Sequence, residues 1–374
     1  MTPVETGSAL FGTQGHTSVS RGLAEFRGRR PVLIKGADET IFALPIEGLD
    51  TQRLAEFRAL CAPSVPHLIV TARRALALGL DAAEPMALRI SPADDAKTIL
   101  AFVTNATSDG VPEASPAGRA AAAAIQLVKL VQSLPAVLAA DVAPDPISCG
   151  PSVITVDAAA VARFADDAIQ SLRIASEASV PLSYDTHARF VVFQDEIGDS
   201  SVAIIVGEPD FTKPVPVRLH SACLTGDVFG SRRCDCGDQL RLALARLKDF
   251  GGGIILYLAQ EGRGLGLANK MRTYQLQDHG FDTIDANTML GFDDDERDYG
   301  IAARMLQMLN CTRIVLLTNN PAKLEGLARA GIEISSRMSL ETPINADNRR
   351  YMTAKAARAG HRLDHLFSSL GESS

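Results

Sequence analysis

The chain has 374 residues, of which 46% are apolar and 22% charged, values typical of a globular protein with two or three domains. Its net charge of −7 argues against a general nucleic-acid-binding surface, and it contains no apolar run of about eighteen residues that would predict a membrane span. Residues 1–22 lack the basic region and apolar core of a secretory signal. We therefore expect a cytoplasmic protein, in which clustered cysteines bind metal or do chemistry more often than they pair.

The first half of the chain is predicted to mix short strands with helices. Apolar runs bounded by turn residues indicate strands at residues 31–35, 41–46 and 67–70. Apolar residues at helical spacing indicate helices at 50–62, 71–80, 117–135 and 157–177. Four prolines in the stretch 134–152 predict a domain boundary or a long surface connection.

Strands alternate with helices in the second half. The predicted strands are residues 188–196, 200–208, 254–259 and 313–318, and the predicted helices are 237–250, 265–279, 299–309 and 321–331. This alternation is typical of a mixed or mostly parallel sheet with helices packed on it. The expected fold class is therefore α/β, with a mixed α+β sheet, in two domains.

Three of the six cysteines lie close together, at Cys223, Cys234 and Cys236. The last two flank an aspartate next to glycines, a context that argues against unrelated thiols on an apolar strand. Tetrahedral zinc takes four donors, and a site with three protein ligands leaves one position for water, as in catalytic zinc sites. A structural zinc site would normally show a fourth Cys or His, and His220 is close in sequence.

A glycine-rich stretch follows a predicted strand and opens a helix, "QEGRGLGLANK" at residues 260–270. Backbone N–H groups of such a turn can bind phosphate, and Arg263 can add a bidentate contact. A tight turn with a solvated charge is an equally good interpretation.

Two further polar segments follow predicted apolar elements. In "LGFDDDERDYG", residues 290–300, most of the acids are expected to be solvated, but one acid and one arginine can act in a site. In "LLTNNPAKLEGL", residues 316–327, Thr318 and Lys323 are suited to phosphate. Ordinary helix capping by Asn320 before a proline explains the same segment without a ligand.

Together these blocks resemble the GTP cyclohydrolase II family over residues 178–365. The Cys pattern with its T-G-D and C-D-C-G context, Q-E-G-R, L-Q-D-x-G-x-D-T, A-N-x-x-L-G-F and L-L-T-N-N-P-x-K occur in the family's order. The resemblance implies a homodimer that converts GTP to 2,5-diamino-6-ribosylamino-4(3H)-pyrimidinone 5′-phosphate, formate and diphosphate, the first step of riboflavin biosynthesis. It also implies one zinc ion per subunit and magnesium on the triphosphate.

The resemblance also assigns roles to individual residues. Cys223, Cys234 and Cys236 hold zinc; Asp295 is the proton acceptor, Arg297 the nucleophile, and Tyr274 lies near the opened ring. The implied GTP contacts are Arg218, Leu219, His220, Ser221, Ala222, Gln239, Glu261, Gly262, Arg263, Thr283, Thr318 and Lys323. Because arginine is protonated at ordinary pH, a purely electrostatic role of Arg297 at the α-phosphate is the alternative to a covalent one.

One position departs from the family: Ala222 stands where many members have glutamate. This difference keeps two alternatives open. The first is a paralogue with partial chemistry or with a role in pyrimidine catabolism. The second is a sensor that binds GTP without turnover.

The N-terminal half resembles 3,4-dihydroxy-2-butanone 4-phosphate synthase over residues 20–135, but it lacks that enzyme's R-E-N-E-G-D stretch of cation ligands. The expected organisation is a flexible start at 1–20, a degenerate, non-catalytic domain at 21–150, the GTP cyclohydrolase II domain at 178–365, and a flexible tail at 366–374.

Overall fold

The computed structural model describes residues 12–105, 110, 112–142, 153–183, 186–196, 198–349 and 352–353. The chain forms two compact units, each with its own sheet. The first unit combines the chain up to Asp167 with two later segments, Met271–Leu276 and Asp285–Asp294. The second unit contains Ala168–Lys270, Gln277–Ile284 and the chain from Asp295 onward.

The first unit is built on a seven-stranded sheet in the order β5-β4-β3-β6-β2-β1-β7. Only the β1–β7 pair is parallel, and the other neighbours are antiparallel. The strands are β1 Val32–Lys35, β2 Thr40–Pro45, β3 His67–Val70, β4 Met86–Arg89, β5 Ala114–Pro116, β6 Ala136–Asp141 and β7 Thr155–Asp157. The helices are α1 Gln14–Arg27, α2 Thr51–Cys61, α3 Ala72–Ala77, α4 Ala96–Thr104, α5 Arg119–Leu130 and α6 Ala158–Ser171, the last of which continues into the second unit.

Local sequence explains where these helices begin. Asp50, Thr71 and Asp95 each accept a hydrogen bond from a backbone N–H in the first turn of the helix that follows, which satisfies an otherwise unpaired donor. The small side chains of α5 face the sheet, and most of its alanines are buried. They let the helix axis approach the central strands closely.

Most predicted elements of the first half are confirmed, and two expectations are wrong in part. The stretch 134–152 is expected to be a boundary or a long surface connection, yet Ala136–Asp141 forms β6, a central strand with five buried residues. The apolar run of β6 starts directly after Pro135, so this proline precedes the strand and does not interrupt it. Residues 143–152 of the same stretch lie outside the described part of the chain. Residues 14–20, expected to be flexible, form the start of α1, because Val19, Leu23 and Phe26 pack into the core. Residues 1–11 lie outside the described part of the chain.

The second unit is built on a seven-stranded mixed sheet in the order β14-β13-β11-β12-β10-β9-β8. The four strands from β14 to β12 are parallel, and those from β12 to β8 are antiparallel. The strands are β8 Arg173–Leu182, β9 Thr186–Gln194, β10 Ser200–Gly207, β11 Val215–Ser221, β12 Gly252–Leu258, β13 Arg313–Leu317 and β14 Glu333–Met338. The mixed sheet confirms the predicted fold class.

Further helices follow α6 in the described part of the chain. They are α7 Leu224–Asp227, α8 Cys236–Asp249, α9 Leu267–Asp278, α10 Thr283–Met289, α11 Gly300–Met308 and α12 Pro321–Arg329. Parts of α9 and α10 belong to the first unit. Among the described residues, no helix combines the length and the hydrophobicity needed to cross a lipid bilayer.

One helix predicted in the first half of the chain is too long. The helix expected at 157–177 ends at Ser171, and Arg173 onward forms β8, which pairs with β9. Most side chains of β8 are exposed, so it carries little apolar periodicity from which a strand could be predicted. The predicted tail at 366–374 lies outside the described residues.

The parallel strands place three loops at one edge of the sheet. β11 and β12 run side by side, with His220 opposite Tyr257, and β13 pairs with β11 on its other side. The segments that follow these strands begin at residues 222, 259 and 318. The carboxyl ends of parallel strands form a crevice in which α/β proteins bind ligands.

Candidate active site

Three thiols meet just after β11. Cys223 precedes α7, and Cys236 is the first residue of α8. The Sγ atoms of Cys223, Cys234 and Cys236 all lie within 4.8 Å of one another, and those of Cys223 and Cys234 are 3.6 Å apart. The structure therefore brings together the cysteines predicted to bind metal.

Two glycines make room for this thiol cluster. A Cβ atom on Gly226 would lie 2.7 Å from Cys234 Sγ and 3.0 Å from Cys223 Sγ. A Cβ atom on Gly237 would collide with the carbonyl oxygen of Gly226. The turn of α7 therefore packs directly against the start of α8, with the three sulfur atoms at the junction.

The ionisation of the thiols fits a soft metal ion. Hydrogen bonds from Cys234 and Cys236, with a further one from Lys270, lower the pKa of Cys223. The same contact with Cys223 raises the pKa of Cys234 to about 11, and hydrogen bonds and burial also raise that of Cys236. The lowered pKa of Cys223 favours its thiolate, the form in which a cysteine binds a metal ion.

A buried ion pair lies against the thiol cluster. The Lys270 ammonium donates to Cys223 Sγ over 3.0 Å, to Thr225 Oγ1 over 3.0 Å and to Glu261 Oε1 over 2.8 Å. The other carboxylate oxygen of Glu261 accepts from the backbone N–H of Leu224 over 2.7 Å. Glu261, a predicted substrate contact, is thus fixed beside a predicted metal ligand.

The buried carboxylate of Asp227 fixes the backbone of Cys223. Asp227 Oδ2 accepts from the backbone N–H of Cys223 over 3.0 Å and from the Tyr257 hydroxyl over 2.9 Å. His220 Nε2 lies 3.1 Å from both oxygens of Asp227. Burial lowers the pKa of His220, although Asp227 opposes this, so the imidazole is neutral at ordinary pH and donates from Nε2.

Asp295 and Arg297 form a bidentate pair. Arg297 Nε donates to Asp295 Oδ1 over 2.7 Å, and Nη2 donates to Oδ2 over 2.6 Å. Burial acts to raise the pKa of Asp295, but the hydrogen bonds and charge of Arg297 outweigh it and hold that pKa below its ordinary value. Arg297 Nη1 also reaches Ser221 Oγ over 3.5 Å, two residues before the first cysteine.

The glycine-rich stretch forms a turn with left-handed backbone at two residues. Residues Glu261–Gly264 form a short 3₁₀ turn in which Gly262 and Arg263 both have positive φ, 62° and 65°. The carbonyl oxygen of Arg263 accepts from the backbone N–H of Glu296 over 3.1 Å, which ties this turn to the Asp295 segment. The predicted turn after a buried strand is confirmed.

Three predicted phosphate contacts are buried and bonded within the protein. Arg218 donates to the Leu317 carbonyl over 3.0 Å and to the Gln239 side chain, and burial lowers the pKa of Arg218 to about 10. Lys323 donates to the Leu219 carbonyl over 2.7 Å. Thr318 Oγ1 accepts from Asn320 N, and Asn320 caps α12 as predicted. These groups hold β11, β13 and α12 together at the crevice.

The remaining predicted site residues are placed as follows. Ala222 follows β11, and its N–H donates to the Leu258 carbonyl over 2.8 Å. Tyr274 belongs to the first unit, and the side chain of Thr283 lies outside the described part of the chain, so the roles of both stay predictions. Sequence reasoning did not single out Lys270 and Asp227, which stand in the quoted "LANK" and "TGD" stretches.

Comparisons with known proteins agree with this arrangement. A sequence profile described as GTP cyclohydrolase II matches residues 173–339. The chain is 41% identical over 370 residues to a GTP cyclohydrolase-2 of Xylella fastidiosa (strain Temecula1 / ATCC 700964), which covers 97% of this chain and 92% of that protein. A GTP cyclohydrolase-2 of Azospirillum brasilense is 39% identical over 364 residues, 92% of this chain and 93% of that protein. One from Azotobacter vinelandii (strain DJ / ATCC BAA-1303) is 51% identical over 175 residues, 46% of this chain and 84% of that protein. Since two of these relatives align with nearly the whole chain, it belongs to the GTP cyclohydrolase II family.

Proposed function

We propose that this chain is a zinc-dependent hydrolase that converts GTP to 2,5-diamino-6-ribosylamino-4(3H)-pyrimidinone 5′-phosphate, formate and diphosphate, the first step of riboflavin biosynthesis. The observation that carries the proposal is the convergence of Cys223, Cys234 and Cys236 beside Glu261 and the Asp295–Arg297 pair. A cytoplasmic homodimer with one zinc ion per subunit, and magnesium carried on the triphosphate, belongs to the same proposal.

The three cysteines would hold the zinc ion. They offer soft thiolate donors, and with three protein ligands a tetrahedral ion keeps one position for water. When bound, zinc supplies Lewis acidity and a hydrolytic water at neutral pH. Gly226 and Asp227 support the fit, because the glycine leaves space against the sulfurs and Asp227 fixes the backbone of Cys223.

Glu261 would read the guanine base. Each of its two oxygens accepts one hydrogen bond within the protein, from Leu224 N and from Lys270. A carboxylate has about four acceptor positions, so further ones remain for the N1–H and 2-amino edge of guanine. A base without these donors would leave the buried carboxylate poorly paired, so adenine would be rejected strongly.

Cationic side chains would bind the triphosphate. Arg263 is carried on the glycine-rich turn. The buried cations Arg218 and Lys323 donate to the Leu317 and Leu219 carbonyls and would add positive charge near the carboxyl ends of β11 and β13. Together with magnesium they would offset charge as diphosphate leaves.

Arg297 is paired with an ionised carboxylate, which supports an electrostatic role at the α-phosphate. In its covalent alternative, Asp295 would first have to take a proton from the guanidinium. The depressed pKa of Asp295 opposes that transfer.

The first unit would be non-catalytic. At the N-terminus of α5, where an anionic substrate would be favoured, the Glu39 carboxylate already accepts from Ala120 N over 2.6 Å. A Cβ atom on Gly118 would collide with the same carboxylate. The Glu39 side chain therefore occupies the position at the N-terminus of α5 that an anionic substrate would take.

One experiment tests the proposal against its alternatives. Purified full-length protein is incubated with GTP and magnesium, and formate, diphosphate and the pyrimidine product are measured. We expect all three in equal amounts. Diphosphate without formate would indicate partial chemistry, and GTP binding without either product would indicate a sensor.

A pair of variants tests the metal claim. Cys234→Ser is expected to lose zinc and ring opening, whereas Cys311→Ala, which changes a buried cysteine in the core of the second unit, is expected to keep both. Full activity of Cys234→Ser without bound zinc would contradict the claim.

A further inference from the structure

We infer that Tyr299 is a positioning residue for the Asp295–Arg297 pair, and that the interior glycine of α12, Gly326, exists to admit its ring. This inference rests on the proposed function, since it assigns Asp295 and Arg297 to the reaction. It concerns two residues to which neither the family resemblance nor the motifs gave a role.

Tyr299 contacts both members of the pair. Its hydroxyl lies 3.2 Å from Asp295 Oδ2 and donates to it. The Cζ atom of Arg297 lies over the ring, 5.6 Å from its centroid. An aromatic face at this distance attracts a guanidinium, and the attraction grows when the pair is shielded from water. One side chain therefore fixes the carboxylate by its hydroxyl and the guanidinium by its ring.

The hydrogen bonds between Asp295 and Arg297 fix the two groups relative to each other, and the contact of Arg297 Nη1 with Ser221 Oγ reaches the end of β11. Arg297 and Asp295 are two residues apart on a segment between α10 and α11 that has no regular secondary structure. Tyr299 is the residue immediately before α11 and is only 8% exposed. It therefore ties the pair to a helix of the fold.

The ring of Tyr299 is itself held by α12. A Cβ atom on Gly326 would lie 2.7 Å from Tyr299 Cδ2 and 3.0 Å from its Cβ. Glycine in a helix interior is unfavourable relative to alanine, so a glycine here needs a reason, and the close approach of the ring provides one. The same helix carries Lys323, a proposed phosphate contact. Tyr299 therefore connects the Asp295–Arg297 pair with the helix that carries Lys323.

The first test compares Tyr299→Phe and Tyr299→Leu with the wild-type holoenzyme. Tyr299→Phe removes one hydrogen bond to a charged group, and we expect kcat for formate release to fall about tenfold. KM for GTP and zinc content are expected to stay within twofold of wild type. Tyr299→Leu also removes the ring under Arg297 and should lower kcat further, with the same unchanged zinc content.

A second pair tests the role of the glycine. Gly326→Ala should push the ring out of place and lower kcat with little change in KM. The control is Gly331→Ala, just past the same helix, where an added Cβ atom meets no atom within 4 Å. Its positive φ of 85° makes alanine unfavourable by about 1 kcal/mol, so this variant also shows what a loss of stability alone does to kcat. It is expected to retain the wild-type kcat.

A third measurement does not depend on turnover. The pKa of Asp295 is followed by carboxyl ¹³C NMR of the full chain, with Asp295→Asn identifying the signal. Since the tyrosine hydroxyl donates to the carboxylate, Tyr299→Phe should raise that pKa. If the wild-type protein releases no formate from GTP, the proposed function fails while this titration still tests Tyr299.

The inference is overturned if Tyr299→Phe leaves both kcat and the Asp295 pKa unchanged. It is also overturned if kcat falls only together with zinc content or with the folded fraction, because Tyr299 would then be a general packing residue.

Discussion

The ammonium of Lys270 donates a hydrogen bond to the carboxylate of Glu261 over 2.8 Å, and the two side chains are only 10% and 15% exposed. Breaking a largely buried pair by removing one partner leaves the other charge uncompensated, at a cost of about 3 kcal/mol. We expect Lys270→Met to lower the free energy of unfolding by about that amount, measured by urea denaturation in the presence of a chelator so that metal binding does not contribute.

Lys213→Met is the matched control, because the Lys213–Asp210 pair is largely exposed, at 77% and 49%. It should change the same free energy by less than about 1 kcal/mol. If both variants lower the free energy of unfolding equally, the buried Lys270–Glu261 pair stabilises the fold no more than the exposed pair does.

Gly226 leads to a prediction on metal binding. An alanine there would place a methyl group 2.7 Å from Cys234 Sγ and 3.0 Å from Cys223 Sγ, so the sulfurs could not keep their positions. We expect Gly226→Ala to purify with less than about a tenth of the zinc of the wild type, measured by atomic emission, since ligand geometry controls zinc affinity.

The control is Gly230→Ala, in the same loop between the cysteines, where an added methyl group meets no atom within 4 Å. Its positive φ of 62° makes alanine unfavourable by about 1 kcal/mol, but zinc should remain bound. Zinc retention by Gly226→Ala would rule out the close packing of α7 on the sulfurs.

The Asp295–Arg297 pair predicts a pH dependence of stability. Although burial acts in the opposite direction, Arg297 lowers the pKa of Asp295 in the folded state. Such a group stabilises the fold fully above its unfolded pKa, about 3.9, and loses that contribution as the pH falls through the folded pKa. The stability difference between wild type and Arg297→Met should therefore be largest above about pH 5 and shrink below about pH 4.

Urea denaturation of both proteins at a series of pH values measures this difference. Arg313→Met serves as the reference, because the Arg313 guanidinium donates to the Thr212 backbone carbonyl, a group that does not titrate. If the stability difference between wild type and Arg297→Met is constant with pH, Arg297 does not lower the pKa of Asp295 in the folded state.

In the first unit, Arg74 is buried and joins the ends of two helices. Its guanidinium donates to the carbonyl oxygens of Phe102 and Asn105, at the end of α4, and of Met289, the last residue of α10. A cation is favourable at helix C-termini, although burial lowers the pKa of Arg74 to about 10.

Arg74→Met would leave these carbonyl groups unpaired, and each costs about 1–3 kcal/mol. We expect the free energy of unfolding to fall by about 3 kcal/mol or more. Arg89→Met, which breaks an exposed pair with Glu113, should cost less than about 1 kcal/mol. Thermal or urea denaturation compares the two, and a similar small loss in both would refute a structural role for Arg74.

The sequence predicts which candidate site residues lie together better than it predicts the sheet around them. Cys223, Cys234 and Cys236 lie on one short stretch with residue types that only a few chemistries use, and Asp295 and Arg297 are two residues apart. For such groups proximity in sequence already implies proximity in space.

Other features depend on partners far along the chain. β8 is exposed and held by pairing with β9, so it shows no strong local signal, and the apolar run of β6 lies within a proline-rich stretch that predicts a connection. The contact of Arg74 with Met289 joins residues 215 positions apart. No periodicity or motif reports such a contact, because it depends on tertiary packing.

The three-piece composition of the first unit has a consequence for engineering the protein. Since this unit takes in Met271–Leu276 and Asp285–Asp294 from the later half of the chain, no single cut separates the two units. Exchange of the N-terminal half at one crossover point would leave these two segments with a foreign partner. A chimaera should therefore carry both segments along with the N-terminal half.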